Sequence, residues 1–166
     1  MYEVIYFSRG GNTQRVAATI AGELGVRPLH VRWVKALPQD AEIFLGSGLY
    51  FMRPARMVRD FIGNNDFTGK RVALFGTSTS GLDIETWWMR WLLKKKGAII
   101  AGQFHCAGKF VLRFGKRRFC LRAERPSDRD IEKARLFARS VRDSLQVATF
   151  ASEPREVSPV VPESAN

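Results

Sequence analysis

The sequence predicts an α/β protein with a three-layer α-β-α arrangement, in which helices cover both faces of a parallel sheet. Two observations support this fold class. Short, β-rich apolar segments alternate along the chain with segments whose apolar residues recur at helical spacing. The short segments are apolar at almost every position, which is typical of strands that are buried on both faces. The chain of 166 residues is long enough for one hydrophobic core of this kind.

The first unit is a strand, a glycine-bearing loop and a helix. Residues 3–7 (EVIYF) are predicted to form the strand, and the loop of residues 8–13 (SRGGNT) follows directly. We expect Asn12 or Thr13 to cap the helix and Gly25 to end it, because these residue types favour those positions. The apolar stripe of this helix consists of Val16, Ala17, Ile20, Ala21 and Leu24.

The alternation continues through the middle of the chain. A weak second strand is predicted over residues 29–34, and buried third and fourth strands over residues 41–46 and 71–76. A helix is predicted over residues 55–62, since Pro54 favours a helix start directly after it.

Two more helices and a fifth strand complete the pattern. The helix over residues 83–96 has acids in its first turn and lysines in its last, in agreement with the helix dipole. Its apolar stripe predicts core positions for Ile84, Trp88, Trp91 and Leu92. The fifth strand is predicted over residues 98–105, and Ser127 is predicted to cap the final helix. The stripe of that helix consists of Ile131, Ala134, Ala138, Val141 and Leu145.

The chain is predicted to form one domain over residues 1–146, followed by a disordered tail over residues 147–166 that is rich in Pro, Ser and Glu. No apolar run approaches the roughly 20 residues that cross a bilayer, and no leader precedes the first strand, so we expect a cytoplasmic protein. Cys106 and Cys120 lack the spacing of metal ligands. We therefore expect two reduced thiols and no metal site.

Positive charge is concentrated in one segment of the chain. The formal net charge is +11, and residues 109–125 contain seven basic residues and one acid. We interpret this segment as a basic hairpin with alternating buried aromatics, Phe110, Phe114 and Phe119. Such a charge favours an acidic redox partner protein or an anionic membrane surface, and nucleic acid is not an expected partner.

Three loops are the predicted ligand-binding region, because ligands of open α/β sheets bind at the carboxyl ends of the strands. They comprise residues 8–13, 47–53 and 77–83. The first suits a phosphate, since glycines let the backbone curve round an anion at a helix N-terminus. It lacks the GKS or GKT ending of a nucleoside-triphosphate loop and the GxGxxG of a dinucleotide fold. A receiver domain is disfavoured, because Gly46 and Ser47 stand where that domain needs Asp.

The segment SRGGNTQRVA resembles the phosphate loop of flavodoxins, which has Ser or Thr, a variable residue, Thr, Gly, Asn and Thr before the first helix. The resemblance extends over about residues 3–146, through GSGLYFMRP, FGTSTSG and SDRDIEKARLFA. It implies a five-stranded parallel sheet in the order 2-1-3-4-5. It also implies FMN as the cofactor, bound at the ends of the first, third and fourth strands.

The same resemblance implies a role for each loop. The phosphate would be held by Ser8, Gly10, Gly11, Asn12 and Thr13. The loop that packs an apolar side chain on the flavin ring would contain Gly48, Tyr50 and Phe51. The loop that hydrogen-bonds the ring edge would contain Thr77, Ser78, Thr79, Ser80 and Gly81. Aromatic stacking with backbone donors suits a flat ring whose redox state changes.

The chain departs from the family pattern in two ways. Arg9 stands where neutral residues are commoner, and Gly10 replaces the usual hydroxyl, so we expect phosphate contacts to shift to Arg9 and the backbone. Most flavodoxins are acidic, whereas this chain is basic. Positive charge near the ring stabilises the anionic hydroquinone, so we predict a less strongly reducing flavin.

Three functions are compatible with the sequence. The first is an FMN-binding electron-transfer protein, and the second is an FMN-dependent oxidoreductase, such as an NAD(P)H or quinone reductase or a protoporphyrinogen oxidase. The third is a flavin-free binding module that uses its basic surface. We interpret His30 and His105 as structural or surface residues, so no acid or base is predicted beside the loops. A basic group on the helix after the second loop consists of Arg53, Arg56 and Arg59. Either Arg53 approaches the flavin or a substrate, or the group forms a solvated helix face.

Overall fold

The computed structural model describes residues 1–114 and 117–152, which form a parallel sheet between two helical layers. The strands are β1 (Tyr2–Tyr6), β2 (Pro28–His30), β3 (Glu42–Tyr50), β4 (Arg53–Pro54), β5 (Arg71–Ser78), β6 (Ile99–Ala107), β7 (Phe110–Phe114) and β8 (Arg117–Leu121). The helices are α1 (Asn12–Glu23), α2 (Arg56–Asn64), α3 (Ile84–Lys95) and α4 (Asp128–Ser152).

The five parallel strands have the order β2-β1-β3-β5-β6, so the predicted fold class and strand order are confirmed. One strand was not predicted: β4 pairs antiparallel with the end of β3. The basic segment forms an antiparallel hairpin of β7 and β8, as predicted. Of the aromatics predicted to be buried in it, Phe110 is exposed, and the side chains at 114 and 119 lie outside the described residues.

The core has two halves, because successive strand residues point to opposite faces of the sheet. In β1, Val4 packs with α1 and α4, and Ile5 packs with α2 and α3. In β5, Phe75 lies on the face covered by α1 and α4, and Leu74 lies on the face covered by α2 and α3. The sheet is therefore buried on both sides, as the apolar strand segments predict.

Two glycines allow close packing near the carboxyl ends of the central strands. A Cβ atom on Gly46 would overlap the ring of Phe75 in the neighbouring strand. A Cβ atom on Gly76 would overlap the carboxylate of Glu85 on α3. These positions bring a ring and an acidic side chain directly against the backbone of the sheet.

The second strand is shorter than the sequence predicts. Only Pro28–His30 pair with β1, and a 3₁₀ turn over Val31–Trp33 follows. The imidazole Nδ1 of His30 accepts a hydrogen bond from the backbone N–H of Arg32 at 3.2 Å. This local bond stabilises the turn in place of further strand pairing.

The core face of α3 also differs from the prediction. Its buried residues are Glu85, Thr86, Met89 and Leu93, whereas Trp87 is 57% and Trp91 41% exposed. The predicted core position of Trp91 is wrong, and Trp88 is half-buried. The helix is rotated relative to the apolar stripe because Glu85 turns inward to an ion pair with His105, described below.

The C-terminal helix begins as predicted and runs further. Ser127 caps it: the Ser127 Oγ accepts from the N–H of Asp130 at 3.3 Å, and the Asp130 carboxylate accepts from the N–H of Ser127 at 2.8 Å. The helix ends at Ser152, and the rest of the predicted tail, residues 153–166, lies outside the described residues. None of the helices in the described ranges combines the length and the apolar character that a membrane-spanning segment needs.

Candidate functional site

Three loops meet at the carboxyl edge of the sheet, after β1, β3 and β5. We call residues 8–13 the first loop, residues 47–53 the second and residues 77–83 the third. The Thr13 and Thr77 hydroxyls share a buried hydrogen bond of 2.8 Å that joins the first loop to the third. The backbone N–H of Arg9 donates to the Tyr50 hydroxyl at 2.9 Å, which joins the first loop to the second. The structure therefore brings the sequence-predicted residues into one region.

The first loop presents unused donors at the start of α1. Gly11 has a φ of +83°, which favours glycine. Apart from its chain neighbours, no atom of the described residues lies within 4 Å of the position that a Cβ on Gly10 or Gly11 would occupy. In the described part of the chain, the N–H groups of Asn12 and Thr13 make no hydrogen bond. The first turn of α1 contains no acidic residue. The start of α1 is therefore an open, electropositive position that suits an anion.

Neither predicted cap residue caps α1, so that prediction is wrong. Gly11 occupies the N-cap position, and no side chain of the described residues caps the first turn. The side chain of Asn12 instead donates to the carbonyl of Lys109 at 2.8 Å, and the Thr13 hydroxyl bonds to Thr77. The Asn12 Oδ1 is buried and has no hydrogen-bond partner within the described residues. The predicted C-terminal glycine is confirmed, because Gly25 has a φ of +69° directly after the helix.

The second loop is a two-residue hairpin between β3 and β4. Tyr50 pairs with Arg53, which leaves Phe51 and Met52 as the turn residues with φ values of +50° and +61°. Such a turn normally takes Asn-Gly, and a left-handed conformation costs other residues about 1–2 kcal/mol each. Phe51 is 96% and Met52 60% exposed. The hairpin therefore holds two apolar side chains in solvent at a cost in conformational energy.

Two hydroxyls fix the base of this hairpin. The Ser47 Oγ accepts from the N–H of Ala55 at 2.9 Å and donates to the carbonyl of Gly48 at 2.8 Å. The Tyr50 hydroxyl is held by Arg9, and its ring packs edge-on against Phe7 with ring centres 5.8 Å apart. Burial raises the pKa of Tyr50. Tyr50 is thus engaged with the first loop, and Phe51 is the aromatic side chain that remains exposed.

The third loop is organised by Ser78. Its Oγ donates to the carbonyl of Leu82 at 2.9 Å and accepts from the N–H of Gly81 at 3.1 Å. The backbone N–H groups of Thr79 and Ser80 have no partner among the residues that the structure describes. Of the five predicted residues, Thr77, Ser78 and Gly81 therefore make hydrogen bonds within the protein, and the backbone N–H groups of Thr79 and Ser80 remain available.

Sequence reasoning missed a cluster of titratable groups beside the third loop, Asp83, Glu85 and His105. The His105 Nδ1 lies 2.7 Å from Glu85 Oε1 and 3.8 Å from Asp83 Oδ1, and its Nε2 lies 3.5 Å from the Ser78 hydroxyl. Glu85 is fully buried, and its Oε2 has no hydrogen-bond partner in the described part of the chain. The sequence shows this pair only as an acid in a helix, Glu85, and a histidine in a strand, His105. The apolar stripe of α3 indicated a different buried face and so concealed the pair.

The environment of His105 favours its charged form. Burial disfavours the imidazolium, but the hydrogen bond to Glu85 and the charges of Glu85 and Asp83 together raise the pKa of His105 above 6.5. The buried Glu85 side chain thus has a cationic partner at pH values below the raised pKa of His105. This pair is a titratable group within hydrogen-bond reach of the third loop.

The other predicted candidates lie around these loops. His30 packs against Tyr6 and Phe7, with ring centres 5.6 and 5.4 Å apart, and burial lowers its pKa. Arg53 lies over the ring of Trp88 at 5.7 Å from its centre, so the second loop contacts α3. Cys106 is buried and Cys120 exposed, and both are free.

Comparison with known proteins identifies the family. Residues 3–112 match the family model described as a flavodoxin domain, and this match covers more than half of the chain. An uncharacterized protein of Methanocaldococcus jannaschii is 32% identical over 138 residues, which cover 78% of this chain and 89% of that protein.

Solved structures show the same fold at low sequence identity. A flavodoxin from the domain Archaea superposes with a TM-score of 0.67 at 16% identity, over 87% of this chain and 98% of that one. Oxidised flavodoxin 1 from Bacillus cereus gives 0.64 at 21% identity, over 86% and 97%. The flavodiiron core of Flv1 from Synechocystis gives 0.66 at 14% identity, over 89% of this chain and 36% of that one.

Proposed function

The chain belongs to the flavodoxin-domain family, and on that basis we propose that it binds FMN and transfers electrons through the bound ring. One observation carries the proposal: the first loop offers unpaired N–H groups, a left-handed glycine and an arginine to a phosphate at the carboxyl edge of the sheet. A flavin supplies reversible uptake of one or two electrons, and the protein supplies binding, orientation and electrostatics.

The phosphate would be held mainly by backbone donors. The N–H groups of Asn12 and Thr13 point out of the first turn of α1, and Gly10 and Gly11 leave room for the anion. The Ser8 Oγ accepts from the N–H of Gly11 at 3.1 Å, so its own hydrogen remains free to donate. This donor set fits a phosphate group, with the Arg9 side chain as the added charge.

The buried Asn12 Oδ1 supports a hydroxylated ligand next to the phosphate. An unpartnered buried acceptor costs about 1–3 kcal/mol, and a ligand hydroxyl would satisfy it. The ribityl chain of FMN carries hydroxyls directly after its phosphate. The chemistry of this position therefore matches the part of the cofactor that follows the anion.

The flavin ring would lie between the second and third loops. Phe51 and Met52 are exposed and suit stacking, and the unpaired N–H groups of Thr79 and Ser80 suit the polar edge of the ring. Tyr50 would support the site from behind, because its hydroxyl and ring are already used by Arg9 and Phe7.

The test is an FMN titration of the purified full chain, followed by absorbance, with mass spectrometry of any ligand that denaturation releases. We expect FMN to bind more tightly than riboflavin, which lacks the phosphate. The Arg9→Gln variant should bind FMN about tenfold more weakly, since a charge-assisted contact contributes about 1.5–3 kcal/mol. Arg27→Gln is the matched control, because Arg27 precedes β2 at the opposite edge of the sheet. A colourless protein that ignores FMN would contradict the proposal and leave a flavin-free binding module.

A second candidate function is an FMN-dependent oxidoreductase, such as a quinone reductase or protoporphyrinogen oxidase. The observation that favours it is the His105 and Glu85 pair beside the third loop, since such enzymes move protons together with electrons. Steady-state oxidation of NADH or NADPH with a quinone separates an enzyme from a carrier. Turnover that falls in His105→Gln would support the enzyme, and absence of turnover in the FMN-loaded protein would favour the carrier.

A further inference from the structure

A basic groove lies beside the three loops and shares Arg9, Tyr50 and Phe51 with the proposed FMN site. It has a volume of about 540 Å³ and is lined by Phe7 after β1, Arg9 of the first loop, the β3–β4 hairpin and the start of α2. We call it the arginine groove, because Arg9, Arg53, Arg56 and Arg59 all line it. Within the described residues, its lining includes no residue of 10–13 or 77–83. Its volume is that of a small-molecule site.

The positive charge of this groove is largely uncompensated. Arg9, Arg53 and Arg59 form no ion pair with any residue in the described ranges, and Arg56 reaches Asp60 only through an exposed contact of 3.5 Å. The Arg59 Nε is buried and has no hydrogen-bond partner in the same ranges. Like charges that line one groove repel, so an anion that enters the groove would relieve the repulsion and could satisfy a buried donor.

The start of α2 adds to this field. Its N-cap residue is Ala55, which provides no side-chain cap, and its first turn has no acidic residue. Among the described groups, the N–H donors of Arg56 and Met57 have no partner. The positive end of the helix dipole and the guanidinium groups of Arg56 and Arg59 therefore act on the same space.

Aromatic rings line the same groove. Phe7 and Tyr50 form an edge-on pair, Phe51 lies at the rim, and the Arg9 guanidinium lies 5.8 Å from the centre of the Tyr50 ring. Several guanidinium groups match the oxygens of a diphosphate, and aromatic and guanidinium faces stack on a base. We propose that the arginine groove binds a nucleoside diphosphate group. The ligand is either a free nucleotide or the ADP half of a nicotinamide dinucleotide.

The test is calorimetric titration of the full-length protein with ADP, in the presence of saturating FMN and again without flavin. We expect ADP to bind at least tenfold more tightly than adenosine, because the groove recognises the phosphates. Arg56→Gln and Arg59→Gln should each weaken ADP binding about tenfold, the change expected from one charge-assisted contact. Arg90→Gln removes an equal charge from an exposed position on α3 and should leave the affinity unchanged.

Two arms of the experiment identify the source and the class of ligand. NADH or NADPH binding more tightly than ADP assigns the groove to a nicotinamide dinucleotide, and equal affinities assign it to a free nucleotide. Equal affinity for ADP and adenosine would overturn the proposal, as would ADP binding that is insensitive to both arginine variants. Binding of an oligoglutamate peptide without binding of ADP would also overturn it and assign the groove to an acidic protein.

The design separates this proposal from the proposed function. Binding of ADP to the flavin-free protein tests the groove even where FMN does not bind, and FMN binding without ADP binding rejects the groove alone. Arg56 is a safe position for substitution, because its side chain is 86% exposed. Arg59→Lys provides a second variant that retains the charge at the half-buried position. It should recover part of the affinity that Arg59→Gln loses.

Discussion

Single residues set the properties of the first loop, and Gly11 shows this most directly. Its φ of +83° lies in the left-handed region, whereas Gly10, on the same open surface, has no such constraint. Both positions have room for a methyl group. A difference in stability between alanine variants at the two positions therefore measures the effect of backbone conformation rather than of crowding.

The variant Gly11→Ala is therefore expected to lose about 1–2 kcal/mol of unfolding free energy, the usual cost of placing an L side chain in this conformation. It should also bind FMN more weakly, because the start of α1 would shift. Urea unfolding of the flavin-free protein measures the first effect. Gly10→Ala is the control, and an equal loss in both variants would rule out the backbone explanation.

The His105 and Glu85 pair gives the protein a pH dependence. A histidine whose pKa is raised in the folded state stabilises that state below its unfolded pKa, and loses this contribution as the pH rises through the raised value. We expect the unfolding free energy of the wild type to exceed that of His105→Gln most at pH below 6.5. Each unit of pKa difference contributes about 1.4 kcal/mol.

The measurement is urea unfolding of both proteins across this range. Glu85→Gln should remove the same pH dependence, because it removes the carboxylate that raises the pKa. A stability difference that stays constant with pH would show that His105 acts through packing alone.

Among the elements, the β3–β4 hairpin stores conformational energy in order to expose two apolar side chains. Replacing Phe51 and Met52 by Asn-Gly should stabilise the flavin-free protein by about 2–4 kcal/mol, the sum for two left-handed residues. The same change should weaken FMN binding, since the stacking side chains are lost. In this one variant, the free energy of unfolding should therefore rise while the affinity for FMN falls. Urea unfolding and FMN titration measure the two effects.

Phe51→Ala separates the two effects. It removes the ring but keeps a residue with a Cβ in the left-handed conformation, so FMN affinity should fall without a gain in stability. A double variant that binds FMN as tightly as the wild type would exclude Phe51 and Met52 from the site.

The elements also show what the sequence can predict. Strands β1, β3 and β5 were predicted because their burial requires apolar residues at nearly every position. The edge strand β6 was predicted from its β-rich, apolar sequence, although most of its residues are only half-buried. The edge strand β2 was predicted too long, because a hydrogen bond from Arg32 to His30 ends it. The rotation of α3 was missed, because an acidic side chain in the core depends on a partner 20 residues away.

The candidate site was predictable in its loops but not in its side-chain contacts. The glycines and hydroxyls of residues 8–13 indicate an anion site by composition alone. The hydrogen bonds between Arg9 and Tyr50 and between Thr13 and Thr77 depend on how separate loops pack against each other. The sequence singled out Arg53, Arg56 and Arg59 of the arginine groove as a basic group, but it could not show that Arg9, which is distant in sequence, lines the same groove.

At the scale of the whole molecule, the net charge of +11 is the dominant feature. A positive field stabilises the anionic reduced flavin, so the second reduction potential of the FMN-loaded protein should be less negative at low ionic strength and fall as salt screens the field. A spectroscopic redox titration at several salt concentrations measures this. A very low potential that does not respond to salt would contradict it.

We expect the same charge to influence encounters with other proteins. We expect an acidic redox partner to be reduced faster than a basic one at low salt, with the difference shrinking as ionic strength rises. Stopped-flow mixing of the reduced protein with one acidic and one basic acceptor of similar potential provides the comparison. Equal rates at every salt concentration would show that the basic surface has no part in electron transfer.

The residues at positions 76, 85 and 105 depend on one another. A Cβ at position 76 would overlap the Glu85 carboxylate, and without that carboxylate the imidazole of His105 would lose the partner that holds its charge. Descendants of a common ancestor should therefore keep glycine, acid and histidine together, or lose all three. A lineage that acquired alanine at 76 would have lost the space that the Glu85 side chain occupies beneath the third loop.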